Sequence, residues 1–117
     1  MSQALNPAAP PLLVVTTLPD VDQARRLARA LVEMRLAACA QIAPIESVYR
    51  WKGEVVQESE VRVLLKTQAA LYERLEAAIR ERHPYEMPAI HAIASDRAEP
   101  AYAGWIAQST GDPSDTR

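Results

Sequence analysis

The chain has 117 residues, with 13 basic and 15 acidic side chains and a single cysteine, Cys39. A formal net charge of -2 gives no general attraction to nucleic acid or to an anionic membrane surface, and one cysteine excludes an intrachain disulfide framework and a CxxC site. No apolar run approaches membrane-spanning length, and residues 1–11 lack the features of a signal peptide. We expect a cytoplasmic protein with one folded domain at residues 12–107 and disordered tails at residues 1–11 and 108–117.

The folded region opens with a predicted strand and an amphipathic helix. Leu12 to Thr17 is a short apolar, β-branched run that is typical of a buried strand. Asp20 is placed to cap the following helix, with Gln23 three residues on as its capping-box partner. Apolar residues then recur at helical spacing, which predicts a helix to about Leu36.

A long hairpin follows this helix. Cys39 to Ile45 is apolar again, and Pro44 within it indicates an edge strand or a bulge. Ser47 to Thr67 then places two β-prone arms around a central Gly53, which can take the positive φ that a tight turn needs. At about 3.3 Å per residue, each arm of about ten residues reaches roughly 30 Å. Such a hairpin would extend beyond a small domain.

Beyond the hairpin the sequence predicts a second helix, a strand and a short terminal helix. Thr67 is placed to cap the second helix, and Pro84 ends it because proline disfavours helical geometry in the preceding residue. The strand is predicted at Met87 to Ser95 and the terminal helix at Tyr102 to Ala107. The apolar face of the second helix is formed by Leu71, Leu75, Ala78 and Ile79.

This order of elements is a βαβ unit used twice, at residues 12–50 and 55–95. Right-handed crossovers place both helices on one face of an antiparallel four-stranded sheet, which predicts an α+β, ferredoxin-like βαββαβ fold with a long hairpin between the second and third strands. The other face should be polar in a monomer, yet both alternating sets of side chains are apolar in Leu12 to Val15 and in Ala89 to Ile93. We expect partner subunits to cover this face and to pair with the hairpin.

Six short motifs occur in order between Leu12 and Ile106. They are Thr17-Leu18-Pro19, Leu36-Ala37-Ala38-Cys39-Ala40, Tyr49-Arg50-Trp51-Lys52-Gly53, Glu60 leading to Leu65-Lys66-Thr67, His83-Pro84-Tyr85-Glu86, and Tyr102-Ala103-Gly104-Trp105-Ile106. In order and spacing these motifs resemble the CutA divalent-cation tolerance proteins, and the resemblance covers most of the chain.

The resemblance implies a tight homotrimer with the ferredoxin-like fold, whose sheets join through the long hairpins, and a likeness to PII signalling proteins. It also implies copper binding, which is reported in some members, and no firmly assigned reaction. We therefore expect neither an enzyme nor an organic cofactor. Some members carry a cysteine where Thr16 stands here, and that position is associated with copper binding.

Cys39 and His83 are the candidate ligands for copper or another divalent cation, because thiolate and imidazole both suit such metals. We expect His83 to contribute to a copper site at a subunit boundary. The plainer interpretations are a small buried thiol for Cys39 and, for His83, a histidine stabilised by the dipole at a helix C-terminus. His91 alternates with apolar residues in its strand and is interpreted as a packed structural histidine.

A second candidate site is a ligand pocket between subunits. Its members would be Trp51, Glu60, Lys66, Tyr85 and Glu86. Glu60 and Lys66 lie an even number of residues apart on one strand and therefore share a face. The simpler interpretations are a cross-strand charge pair for these two residues and an aromatic anchor of a trimer contact for Trp51.

Other proteins of this fold need residues at positions where this chain does not have them: its only Asn is Asn6 in the tail, its first loop has no CxxC, and Val61 to Thr67 has no aromatic residue. An acylphosphatase-like enzyme needs an Arg and an Asn around a phosphate, a metal chaperone needs CxxC in the first loop, and an RNA-binding sheet displays aromatic side chains on its central strands. Three hypotheses remain: a copper-binding trimer that supports metal tolerance, a PII-like sensor of a small anionic ligand in the intersubunit cleft, and a structural trimer that anchors another protein. None of them involves nucleic acid or a membrane.

Overall fold

The computed structural model describes residues 9–112. Most of the two predicted tails, residues 1–8 and 113–117, lies outside the described residues. The elements are β1 (Leu12–Leu18), α1 (Val21–Glu33), β2 (Cys39–Trp51), β3 (Glu54–Thr67), α2 (Tyr72–Arg82), β4 (Ile90–Ala94) and α3 (Pro100–Gln108), with one 3-10 turn (Ala69–Leu71) before α2. No helix in the described part of the chain is long and apolar enough to cross a membrane.

The four strands form one antiparallel sheet in the order β2-β3-β1-β4. This arrangement confirms the predicted α+β, ferredoxin-like βαββαβ fold. Pro44 lies within β2, which is an edge strand, so its missing N–H leaves the pairing with β3 continuous. At the other end of the sheet, β4 is shorter than the predicted strand and pairs only with β1.

Helix α1 begins where the sequence predicts and ends three residues early. Asp20 is the N-cap, and its carboxylate accepts hydrogen bonds from the backbone N–H and the side-chain amide of Gln23, both at 2.8 Å. The helix ends at Glu33 rather than Leu36 because Arg35 takes a left-handed conformation with φ 61°. The N–H of Leu36 then donates to the carbonyl of residue 31 at 3.0 Å, which closes a Schellman motif.

The left-handed Arg35 also fastens the end of α1 to the segment after α3. Its guanidinium donates to the carbonyl oxygens of Gly111 and Gln108, each at 2.7 Å, and the N–H of Gly111 donates back to the Arg35 carbonyl at 2.8 Å. Thr110, between these acceptors, is 1% exposed. The packed region therefore includes residues beyond Ala107 as well.

The prediction that Thr67 caps the second helix is wrong. Thr67 is the last residue of β3 and is completely buried, and its hydroxyl donates to the carbonyl oxygen of Leu36 at 2.7 Å. The chain instead makes the 3-10 turn before α2, whose N-cap Leu71 supplies no side-chain hydrogen bond. The Thr67 hydroxyl is therefore used to satisfy the buried Leu36 carbonyl and is not available to cap the helix.

The two faces of the sheet differ in what covers them. The helix face packs on α1 and α2 and forms the core; its buried strand residues are Val14, Thr16, Leu18, Val61, Val63, Leu65 and Thr67. The open face carries the alternate residues, which include Leu13, Val15, Leu64 and the half-exposed Ile93. The alternating apolar residues of β1 and β4 thus lie on both faces of the sheet, and one set of them is left uncovered in the single chain.

The hairpin arms extend far past the rest of the sheet. Strand β3 pairs with β1 only from Val61 to Thr67, so the seven pairs from Ile45 with Glu60 to Trp51 with Glu54 stand alone. We call residues 45–60 the ribbon. The turn at its tip has φ 50° at Lys52 and φ 85° at Gly53, the two positive values of a type I′ turn. The ribbon accounts for the long axis of 59 Å against 26 and 21 Å.

Candidate functional site

A wide groove lies between the ribbon and the loop from Pro84 to Ala89 that precedes β4. Its volume is about 1210 Å³, and the start of β4 closes one end. We call this cavity the groove. The ribbon and the loop come together here because α2 ends at Arg82, where Pro84 prevents further helix, and the loop then crosses towards β3.

Four of the five predicted pocket residues line the groove. They are Trp51, Glu60, Tyr85 and Glu86. The fifth, Lys66, lies six residues from Glu60 along β3, which corresponds to about 20 Å. Its ammonium group instead stands 5.5 Å from the centroid of the Tyr102 ring of α3. Neither Glu60 nor Lys66 takes part in an ion pair within residues 9–112, so the cross-strand charge pair is not formed.

Two tyrosine–carboxylate hydrogen bonds order the walls of the groove. The Tyr85 hydroxyl donates to Glu60 Oε2 at 2.9 Å and joins the loop to the ribbon. The Tyr49 hydroxyl donates to Glu58 Oε1 at 2.6 Å within the ribbon. Hydrogen bonding to Glu58 raises the pKa of Tyr49 to about 12. Burial, together with the bond to Glu60, raises the pKa of Tyr85 further, so both phenols stay protonated donors at neutral pH.

Tyr49 and Glu58 were not among the residues predicted to line the pocket. A signal for them existed, because alternate residues of a strand share a face: Tyr49 lies on the same face as Trp51, and Glu58 lies on the same face as Glu60. The register of the two arms puts both pairs on the open face. Extending the predicted pocket by one step along each arm would have included both residues.

His83 is held by hydrogen bonds at both ring nitrogens. Nε2 lies 2.7 Å from the Thr17 carbonyl oxygen, which can only accept, and Nδ1 accepts from the Tyr85 backbone N–H at 3.2 Å. The ring is therefore the neutral Nε2–H tautomer, with its lone pair on Nδ1. Burial lowers the pKa of His83 below its ordinary value, although the bond to Thr17 and the charge of Glu60 act in the opposite direction.

The structure does not bring Cys39 and His83 together in one protomer. Cys39 is in register with Lys66, and Lys66 with Leu13, whereas His83 bonds to Thr17, four residues further along β1. Four residues of strand correspond to about 13 Å, too far for both side chains to bind one ion. Within residues 9–112 no three His, Cys, Asp or Glu side chains are close enough together to hold a metal ion.

Two further predicted positions have clear locations. Thr16, where some CutA proteins were expected to carry cysteine, is completely buried on the helix face, and its hydroxyl is the one buried side-chain polar atom without a hydrogen-bond partner in the described region. The prediction that His91 is packed is wrong for the single chain. Its side chain is exposed on the open face, where it lines the end of the groove.

Comparison with known proteins places these features in a family context. Residues 12–109 match the family model described as CutA1 divalent ion tolerance protein. The divalent-cation tolerance protein CutA of Thermus thermophilus is 40% identical over 100 residues, which is 85% of this chain and 97% of that protein. Protein CutA of Homo sapiens is 40% identical over 101 residues, but the match covers 86% of this chain and only 56% of the human protein.

The fold agrees with a solved relative over nearly the same region. The crystal structure of CutA1 from Oryza sativa superposes with a TM-score of 0.86 at 32% identity, covering 90% of this chain and 97% of that one. This chain therefore spans nearly the whole length of that structure.

Proposed function

The chain belongs to the CutA1 divalent ion tolerance protein family, and from that premise we propose that it supports divalent-cation tolerance as a cytoplasmic homotrimer that binds a divalent metal ion, copper being the predicted metal. The proposal includes no catalysed reaction. The observation that carries it is the ribbon, because this element is incomplete in a single chain.

The ribbon leaves both backbone and apolar surface without a partner. The outer edge of β3 from Glu54 to Glu60 has no neighbouring strand in the described part of the chain. Val48 and Val55 are 64% and 66% exposed on the ribbon, and Ile93 is 51% exposed on the open face. Two-stranded ribbons are marginal in water, and an unpaired edge is a template for another chain. Copies of the same chain, arranged in a closed ring, satisfy these surfaces.

The hydrogen bonds of His83 support a role as a metal ligand at a subunit boundary. Metal-binding histidines commonly donate one ring N–H to a backbone carbonyl, which directs the lone pair of the other nitrogen to the metal. The bond from His83 Nε2 to Thr17 has this form, and a metal at Nδ1 would replace the hydrogen bond of 3.2 Å that this nitrogen accepts from the Tyr85 N–H. Because Cys39 is distant in the same protomer, each of the two predicted ligands would need further ligands from a neighbouring subunit.

Two measurements test this proposal on the full chain. Sedimentation at micromolar concentration should give a trimer, and a stable folded monomer would contradict it. Calorimetric titration with copper(II) should show binding that His83→Ala weakens at least tenfold. His91→Ala serves as the matched control, since His91 is exposed and forms no hydrogen bond with the described part of the chain. Equal copper affinity in wild type and His83→Ala would remove His83 from the site, and Cys39→Ser tests the thiol in the same way.

A second candidate function is a small-ligand sensor of the PII-like kind. The groove favours it, because polar side chains and aromatic rings converge there, as they do in small-molecule sites. A ligand that binds only the folded protein raises its melting temperature, so a thermal-shift screen of metabolites would detect it. The sequence led us to expect an anionic ligand for this site.

A further inference from the structure

Helix α3 and the segment after it, residues 100–112, lie at the end of the sheet opposite the tip of the ribbon. We call residues 100–112 the flap. We propose that the flap opens and closes as one unit while the rest of the domain stays folded, and that Arg35 is the latch that holds it closed. The contacts on which this inference rests all form within one protomer, so they are the same whatever covers the open face and the ribbon.

The hydrophobic core does not extend to α3. Its buried residues come from β1, β3, α1, α2 and the turn after α1, and none of those described belongs to α3. Of the nine residues of α3, only Ala103 and Ile106 are buried. Both line a cavity of about 40 Å³ together with Pro11 and Gln68, so their packing is incomplete. Apolar burial therefore holds α3 only weakly, as in segments that open locally.

Polar side chains from distant parts of the chain hold the end of α3 instead. The last four carbonyl oxygens of a helix have no partner within it, and two of those in α3 accept hydrogen bonds from outside the flap. Gln108 accepts from the Arg35 guanidinium at 2.7 Å, and Ala107 accepts from the Gln68 amide at 3.2 Å. The Gln68 amide also donates to the Thr110 hydroxyl at 2.6 Å. A positive charge at the C-terminal end of a helix adds a favourable interaction with the helix dipole.

Arg35 is the centre of this arrangement. Its guanidinium also donates to the Gly111 carbonyl at 2.7 Å, and its own carbonyl accepts from the Gly111 N–H at 2.8 Å. One residue thus fastens both α3 and the segment that follows it to the end of α1. The two guanidinium bonds are exposed and half-buried, so water can replace them when the flap opens. The latch is therefore strong enough to position the flap and can be released without leaving buried groups unpaired.

The connection from β4 to α3 supplies the hinge. Residues 95–99 have no regular secondary structure, and three of the five are exposed. The N–H of Ser95 donates to the Pro11 carbonyl at 3.1 Å, which fixes the start of the connection to the domain. Rotation beyond Ser95 moves the flap without disturbing the sheet, as in other hinged elements. It also separates the Tyr102 ring from the Lys66 ammonium group, which stands 5.5 Å from the centroid of that ring when the flap is closed.

Residue-resolved hydrogen exchange of the full chain by NMR tests the proposal, because each amide reports how often its surroundings open. In the wild type we expect the amides of residues 103–109 to share one protection factor, at least tenfold lower than those of Ala78 and Ile79 in α2. Arg35→Asn should lower the protection of α3 at least fivefold further and leave that of α2 within twofold. Asparagine tolerates the left-handed conformation of Arg35, so this variant removes the guanidinium without adding strain to the turn.

A second variant and a control accompany this measurement. Gln68→Met removes the other side-chain donor to α3 and should lower its protection at least threefold, and it replaces Arg35→Asn if circular dichroism shows that Arg35→Asn does not fold. Arg29→Gln is the control, because the exposed Arg29 side chain bonds to Glu33 within α1. It should leave the protection of α2 and of α3 within twofold of wild type.

Four results would overturn the inference. Protection of α3 equal to that of α2 in the wild type would mean that the flap does not open by itself, for example because a neighbouring copy holds it. Protection that decreases steadily from residue 103 to residue 109 would indicate fraying of a helix end and not the opening of a unit. An equal loss in α2 and α3 when Arg35 or Gln68 is replaced would show that the flap unfolds only with the whole domain. Unchanged protection of α3 in Arg35→Asn would show that Arg35 is not the latch.

Discussion

The Tyr85 hydroxyl donates to Glu60 Oε2 at 2.9 Å and so connects the loop before β4 to the base of the ribbon. Twenty-five residues separate the two side chains in sequence, and Glu60 is buried while its partner is half-buried. The bond therefore does two things at once, because it satisfies a buried carboxylate oxygen and fixes the width of the groove.

Removing this hydroxyl should destabilise the fold. For Tyr85→Phe we expect the free energy of unfolding to fall by about 1–3 kcal/mol, the usual cost of leaving a buried charged acceptor without its donor. Tyr49→Phe is the matched control, since the Tyr49–Glu58 bond is exposed, and we expect a loss of about 0.5 kcal/mol. Denaturation in urea at one protein concentration measures both. An equal loss in the two variants would show that burial of Glu60 does not set the effect.

Stability should decrease on acidification because of His83. Its pKa is lowered in the folded protein, whereas the unfolded chain has the ordinary value of about 6.5. Between these two values the unfolded chain binds more protons, so the free energy of unfolding falls as the pH is lowered through that window and is constant in this respect above it. Protonation of Nδ1 would also replace the acceptor of the Tyr85 N–H by a second donor.

The variant His83→Gln should remove this part of the pH dependence. Unfolding is measured from pH 7.5 to 5, and the difference between wild type and variant isolates His83, because the carboxylates of the chain contribute equally to both. His91→Gln is the control, because the ring of His91 is exposed whereas that of His83 is half-buried. A pH profile of His83→Gln that parallels wild type would contradict the assignment of the neutral tautomer.

The turn of the ribbon should depend on the freedom of Gly53 to take a positive φ. A Cβ at this position would meet no atom within 4 Å, so Gly53→Ala adds no clash, but φ 85° is unfavourable for any residue with a Cβ. We expect a loss of about 1–2 kcal/mol in unfolding experiments. Gly104→Ala, in the helix α3 and equally free of contacts, should instead stabilise by about 0.5–1 kcal/mol. Effects of the same sign would contradict this conformational explanation.

Two completely buried threonines should respond in opposite directions to valine. The Thr16 hydroxyl has no hydrogen-bond partner among residues 9–112, so Thr16→Val removes an unsatisfied polar atom and should be neutral or stabilising by about 1 kcal/mol. The Thr67 hydroxyl donates to the Leu36 carbonyl, so Thr67→Val should cost about 1–3 kcal/mol. Thermal and urea unfolding of both variants make the comparison. A large loss for Thr16→Val would mean that its hydroxyl has a partner in the assembled protein.

Local signals in the sequence were sufficient for most of the fold. The apolar run of β1, the cap formed by Asp20 and Gln23, and the stop at Pro84 each act over a few residues, and each is present where it was predicted. The end of α1 and the start of α2 differ from the prediction, because in each case a residue near the helix end forms hydrogen bonds with a distant part of the chain. Arg35 turns the chain out of α1 and bonds to residues more than 70 positions away, and Thr67 bonds across 31 residues.

The candidate site was only partly predictable for the same reason. Strand parity correctly put Glu60 and Lys66 on one face, but parity carries no information on distance along the strand, and Lys66 lies outside the groove. The hydrogen bond between His83 and the Thr17 carbonyl spans 66 residues and depends on how the loop after α2 crosses the sheet. No local pattern predicts which ring nitrogen would carry the proton.

The unpaired edge of β3 also matters while the chain is being synthesised and has not yet met another copy. From Glu54 to Glu60, one edge of β3 has no strand partner, and an unpaired edge can form hydrogen bonds with any extended segment nearby and so promote aggregation. Three glutamates occur within these seven residues, and their mutual repulsion opposes the stacking of identical edges in register. The carboxylates that shape the groove in the folded protein thus also act as gatekeepers for the nascent chain.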